Sequence, residues 1–138
     1  MKAAKYEIEQ QAVKDNFTFL MEFIEMNISA TEMDNETLAG ILTACEETLI
    51  NIINYAYPGE TGKVKIGVEI KSECISITFT DNGIPFNPLA KPDADISLSL
   101  EEREIGGLGI HMIKKLMDEF NYEYKEGKNI FTIVKHLK

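Results

Sequence analysis

Basic residues are scarce in this chain: 14 Lys and Arg stand against 23 Asp and Glu, a formal charge of −9 at neutral pH. That balance works against nonspecific binding to nucleic-acid phosphates and disfavours direct contact with DNA or RNA. It suits plain solubility or a basic protein partner equally well. Cysteine is almost missing too; Cys45 and Cys74 both fall in apolar, patterned segments, which predicts two buried thiols. No stretch approaches roughly 18 uncharged apolar residues, so no membrane contact is expected. The segment 1–7 lacks the apolar run of a signal peptide, and a cytoplasmic protein is expected.

Internal repeats, low-complexity linkers and the G-x-x-x-x-G-K-[ST] phosphate loop are also lacking. What is present suits one compact domain over residues 1–138. With 44% apolar and 27% charged residues, a chain of this length buries roughly 65–70% of its unfolded surface without needing staples.

Along the chain, a short strand is expected at Tyr6 to Glu9. A helix follows from about Val13 to Met26, with Val13, Phe17, Leu20, Phe23 and Ile24 at helical spacing. A second helix, capped by Asp34 or Asn35, runs to Tyr57, where Pro58-Gly59 stops it. Lys63 to Ile70 and Cys74 to Phe79 alternate polar and apolar across Ser72-Glu73, the pattern of a hairpin. Gly109 to Phe120 reads as a helix through Ile110, Ile113, Leu116 and Met117. Tyr122 to Lys125 and Ile130 to His136 then read as a hairpin across Gly127-Lys128. The order βααββ, loop, αββ predicts an α+β fold, a two-layer α/β sandwich with helices on one face of a mixed, mostly antiparallel sheet. A Rossmann arrangement needs strict alternation of strands and helices and ranks well below. The long aperiodic stretch at about 85–106, with Pro85, Pro88 and Pro92, is expected to be a mobile lid.

Three places can carry chemistry. On the second helix, about 100° per residue puts Leu38, Ile41, Leu42, Cys45, Leu49, Ile52 and Ala56 on one face, with Thr43, Glu47, Asn51 and Asn54 opposite. An isolated amphipathic helix would simply turn such a stripe to solvent. Asp81-Asn82-Gly83, at the end of an apolar strand, is the second place. It is either a plain turn or a site where Asp81 accepts from an exocyclic amine such as that of adenine, while Gly83 lets a ring approach the backbone. Third, Gly106-Gly107-Leu108-Gly109 opens a helix and offers backbone N–H groups to an anion, unless it only hinges loop to helix. Asn51 is a candidate Mg²⁺ ligand, since that ion takes few protein oxygens beside phosphate oxygens. Glu47, one turn earlier, can take a proton from an attacking hydroxyl, or can form a helix salt bridge.

Taken together, Glu47-x-x-x-Asn51 resembles the N box, Asp81-x-Gly83 the G1 box, and Gly107-x-Gly109 the G2 box of the GHKL ATPases. The stretches Asp81 to Pro88 and Gly106 to His111 resemble the bacterial anti-sigma factor serine/threonine kinases of that superfamily, and the similarity spans nearly the whole chain. The resemblance implies a kinase that transfers the γ-phosphoryl group of ATP to a STAS-type anti-sigma-factor antagonist and sequesters a sigma factor, often as a homodimer. Glu47 would be the base, Asn51 the Mg²⁺ ligand, and Asp81 and Gly83 the adenine contacts. Gly107 and Gly109 would cradle phosphates, with Asn54, Gly106 and Leu108 also at the nucleotide. Arg103 is either a γ-phosphate contact or a salt-bridge partner of Glu101, Glu102 or Glu104. His111 and His136 lack the surroundings of a phosphoacceptor and are expected to be structural or exposed. Lys114 and Lys115 either reach the site or face water. Two other functions compete: an ATP/ADP-dependent binding switch without catalysis, and a degenerate domain that binds no nucleotide.

Overall fold

The computed structural model describes residues 3–85 and 112–137. Five strands, β1 (Ala4–Gln11), β2 (Lys63–Ile70), β3 (Cys74–Asp81), β4 (Glu119–Lys125) and β5 (Lys128–His136), form one sheet in the order β1-β2-β3-β5-β4. Every neighbouring pair is antiparallel. Helices α1 (Phe17–Ile28) and α2 (Asn35–Tyr55) cover one face.

Strict alternation decides which face that is. Val64, Ile66, Val68 and Ile70 of β2 pair with Asp81, Phe79, Ile77 and Ile75 of β3, and all eight side chains are buried. The intervening Lys65, Glu69, Ser76, Thr78 and Thr80 point to the other, polar face. Leu20, Ile24 and Ile28 of α1 recur every four residues and are fully buried, as are Ile41, Ala44, Cys45 and Leu49 of α2. The two layers therefore share one core. Among the described residues no helix is long and apolar enough to cross a membrane.

The element boundaries differ from the expectations in instructive ways. β1 runs from Ala4 to Gln11 because all eight of its residues pair with β2. The first helix begins with a 3-10 turn, Lys14–Asn16, before α1 proper. Asp34 caps α2 by accepting from the Thr37 N–H at 2.7 Å; the Thr37 side chain, and after it that N–H, hold its carboxyl below the usual value. The helix ends at Tyr55, two residues before the expected Tyr57. Pro58 restricts the backbone of Tyr57, whose hydroxyl instead donates to the Lys63 carbonyl and accepts from Asn82 N–H.

Near the end of the chain, residues 112–116 are helical, but Phe120 belongs to β4, not to the helix expected to reach it. Asp118 starts the switch: its N–H donates to the Val134 carbonyl and its carboxylate accepts from His136 N–H at 2.6 Å. The hairpin turns at Glu126-Gly127, one residue earlier than expected, with both residues at positive φ (54° and 76°) and Lys125 paired to Lys128. That is the backbone a tight two-residue hairpin of right-handed twist needs. Cys45 is fully buried, and burial, with a smaller push from Glu46, raises its thiol far above the usual range. Cys74, expected to be buried, is only half-buried because it lies on the polar face beside His136.

Candidate functional site

A pocket, partly open to solvent, lies where α2, β3, β5, β4 and the 112–116 helical turn converge. Its walls are mostly apolar, with Ile52, Phe79, Ile84, Ile113 and Phe131 facing it. Four buried polar side chains interrupt them: Thr48, Asn51, Asp81 and Asn129. A mostly apolar cleft with a few fixed polar groups is the usual build of a small-molecule site.

Asp81 is the last residue of β3 and is 4% exposed. Alternation along β3 turns it to the core face, after Ile75, Ile77 and Phe79, so a carboxylate occupies a position that the pattern reserves for an apolar residue. Its Oδ1 accepts from Gly83 N–H at 2.8 Å and from Asn129 Nδ2 at 2.9 Å. Burial raises the Asp81 carboxyl above its usual value, and these two bonds pull the other way.

The turn that follows is pinned from both sides. A Cβ at Gly83 would lie 2.2 Å from the Ala56 carbonyl oxygen, so the bare backbone is needed to pack on the end of α2. There Ile84 N–H donates to that same oxygen at 2.9 Å. Tyr57 holds the other side through Asn82.

On α2, Asn51 is 5% exposed and lines the cavity. It thus faces inward instead of sharing a solvent stripe opposite the apolar face. It lies about 100° around the helix from Ile52, at the edge of the buried arc, where the cavity opens. Glu47, one turn earlier, is half-buried and lies outside the cavity wall, and Asn54 is exposed and outside it too. Glu47 Oε2 and Asn51 Oδ1 are both buried without a hydrogen-bond partner among the described residues. Two orphaned acceptors of this kind cost roughly 1–3 kcal/mol each. Their chemistry fits a hard cation or a donor group held between helix and ligand. Burial, and secondarily the charge of Glu46, raises the Glu47 carboxyl above its ordinary value. The described residues contain no cluster of three or more His, Cys, Asp or Glu arranged to hold a metal by themselves.

Glu47, Asn51, Asp81 and Gly83 thus lie along one end of α2 and the adjoining strand. Arg103, Gly106, Gly107, Leu108 and Gly109, the lid at about 85–106 beyond Pro85, and His111 lie outside the described residues. Lys114 and Lys115 are exposed, and His136 is exposed beside Glu119.

The sequence pattern alone left out Thr48, whose hydroxyl donates to the Ala44 carbonyl at 2.8 Å, and Asn129 with its partner Tyr122. A signal for Asn129 existed. It stands two residues before Phe131 and four before Ile133, so alternation places an amide on the buried face of β5.

Comparisons with known proteins bear on the family and the fold. The chain is 27% identical to the serine/threonine-protein kinase BtrW of Bordetella bronchiseptica, over 69% of this chain and 68% of that protein. It is 26% identical to the anti-sigma F factor of Pasteuria penetrans, over 100% of this chain and 92% of that one. At the level of fold, the structure is similar to the histidine kinase AdeS of Acinetobacter baumannii, with a TM-score of 0.53 at 16% identity, covering 95% of this chain and 68% of that chain. Residues 11–135 match the model of the histidine kinase-like ATPase domain. That match takes in α2, β3 and β5, the elements that build the cavity, and the chain belongs to the histidine kinase-like ATPase domain family.

Proposed function

We propose that this protein is an ATP-dependent serine/threonine protein kinase acting as a cytoplasmic anti-sigma factor, which phosphorylates a STAS-type antagonist and sequesters a sigma factor. The observation that carries the proposal is the pair of orphaned buried oxygens, Glu47 Oε2 and Asn51 Oδ1, one turn apart on α2, with Asn51 lining a cavity that the buried Asp81 carboxylate also lines. Family membership implies ATP use, and the kinase and anti-sigma names of two relatives support the finer reading.

In this scheme the apolar walls take the adenine ring and Asp81 accepts from its amine. Asn51 Oδ1 is the side chain that would hold Mg²⁺, an ion that neutralises phosphate charge when bound. The reaction is an in-line transfer. The serine or threonine hydroxyl oxygen bonds to the γ-phosphorus, the bond to the β,γ-bridging oxygen breaks, ADP leaves, and the hydroxyl proton goes to the Glu47 carboxylate. A carboxyl whose proton affinity is raised by burial is better suited to that task than an exposed one. Phosphoryl transfer asks mainly for positioning and charge neutralisation, and Gly107 and Gly109 are proposed to supply the phosphate contacts.

One observation favours a second reading, a nucleotide-dependent binding switch: Glu47 lies outside the cavity wall. The two are separated by incubating the protein with Mg²⁺, γ-labelled ATP and its STAS-type partner. The kinase reading expects labelled partner, and expects Glu47→Gln to cut labelling by about 10²–10⁴ while ATP affinity holds. An unlabelled partner despite tight ATP binding leaves only the switch.

A further inference from the structure

The cluster around Asn129 goes beyond what an acceptor for the adenine amine requires. Asn129 opens the buried face of β5 directly opposite Asp81 in the register, and Tyr122 of β4 stands diagonally across from it. The amide is held in one orientation. Its Nδ2 donates to Asp81 Oδ1 at 2.9 Å and to the Ile84 carbonyl at 2.8 Å, while its Oδ1 accepts from the Tyr122 hydroxyl. Turned over, the amide would set its oxygen against two acceptors, so the surroundings select this arrangement.

The consequence falls on Asp81. Both bonds to its carboxylate land on Oδ1, and among the described residues no donor reaches Oδ2. We infer that Asn129, oriented by Tyr122, is a positioning residue that sets base selectivity: it ties down Asp81 Oδ1 so that the pocket presents Oδ2 as a fixed acceptor and demands an amine on the purine. With both amide hydrogens of Asn129 engaged, the amide has no donor left to welcome a carbonyl at the same place on the base. A purine that carries an oxygen there meets acceptor against acceptor, which a buried site rejects strongly. Removing Asn129 leaves the carboxylate one donor among the described residues, Gly83, and frees it to pivot about its terminal torsion.

This inference rests on the reading of the cavity as an ATP pocket, and the experiment separates the two. Affinities of the full chain, with Mg²⁺, are measured by calorimetry for ATP and for purine riboside triphosphate, which has hydrogen in place of the 6-amine. The unmodified protein is expected to prefer ATP by about tenfold or more. Asn129→Ala is expected to shrink that preference to about threefold or less, with Tyr122→Phe in between. Tyr122→Phe deletes a single hydroxyl and carries the same test if Asn129→Ala does not fold. A merely structural role would weaken both ligands equally, so an unchanged preference in the folded variants overturns the inference and leaves the ATP pocket standing. An unmodified protein that binds neither ligand overturns both.

Discussion

Glu47 and Asn51 hold buried oxygens that nothing among the described residues satisfies, so function and stability should pull apart at these positions. Asn51→Leu removes an orphaned acceptor from a buried site. It is expected to stabilise the ligand-free protein by about 1 kcal/mol, roughly 3–5 °C in a thermal melt, while abolishing Mg²⁺-dependent nucleotide binding in calorimetry. Glu47 gives a pH signature. Because burial raises its carboxyl above the ordinary value of 4.5, the folded chain holds that proton more tightly than the unfolded one. The contribution is present below the unfolded value and is lost as pH rises through the folded one. Melts of the unmodified protein and Glu47→Gln should therefore nearly coincide near pH 4, with the variant more stable at pH 8. Coincidence at both pH values would contradict the burial of this side chain. Both residues were legible in the sequence as a polar pair one turn apart. The inward placement of Asn51 was not, because periodicity alone cannot tell a solvent stripe from the rim of a cavity.

The turn after β3 shows how elements, and not single side chains, position the site. Gly83 packs against the Ala56 carbonyl, and Tyr57 holds the turn from the other side by bonding Asn82 and Lys63. Gly83→Ala forces a Cβ into backbone and is expected to cost about 2–4 kcal/mol. Tyr57→Phe, which loses both bonds, is expected to cost about 1–3 kcal/mol. Denaturant unfolding reads either change. The sequence suggested that Gly83 clears space for a ring, whereas the structure adds a packing reason that only the docking of turn on helix reveals. The β2–β3 hairpin was legible almost to the residue, since alternation and a polar turn agree there. The start of β4 was not: Ile113, Leu116 and Met117 carry a helical rhythm toward Phe120, and it is pairing with β5, a long-range contact, that turns Glu119 and Phe120 into strand. Asn129 was lost for the same reason, since shifting the hairpin by one residue left it in the turn.

At the scale of the whole molecule, the described residues set α1, α2 and the 112–116 helical turn against a five-stranded antiparallel sheet, and the pocket lies where the end of α2 meets the ends of β3 and β5. The fold class was legible from element order, and two of the short motifs contain residues that line the pocket, Asn51 and Asp81; the Gly106 to Gly109 motif lies outside the described residues. A chain of formal charge −9 whose family uses ATP gains nothing from bulk charge in binding a polyanion and depends on a few placed groups. Calorimetric titration of the full chain with Mg-ATP, alongside Asp81→Asn, tests this most directly. Asp81→Asn keeps the shape of the site and an oxygen for Gly83 and Asn129, but turns an amide toward the amine of the base. One ATP bound per chain by the unmodified protein, with affinity falling at least about tenfold in Asp81→Asn, is the predicted result. Absence of binding, or equal binding by the variant, would contradict the account.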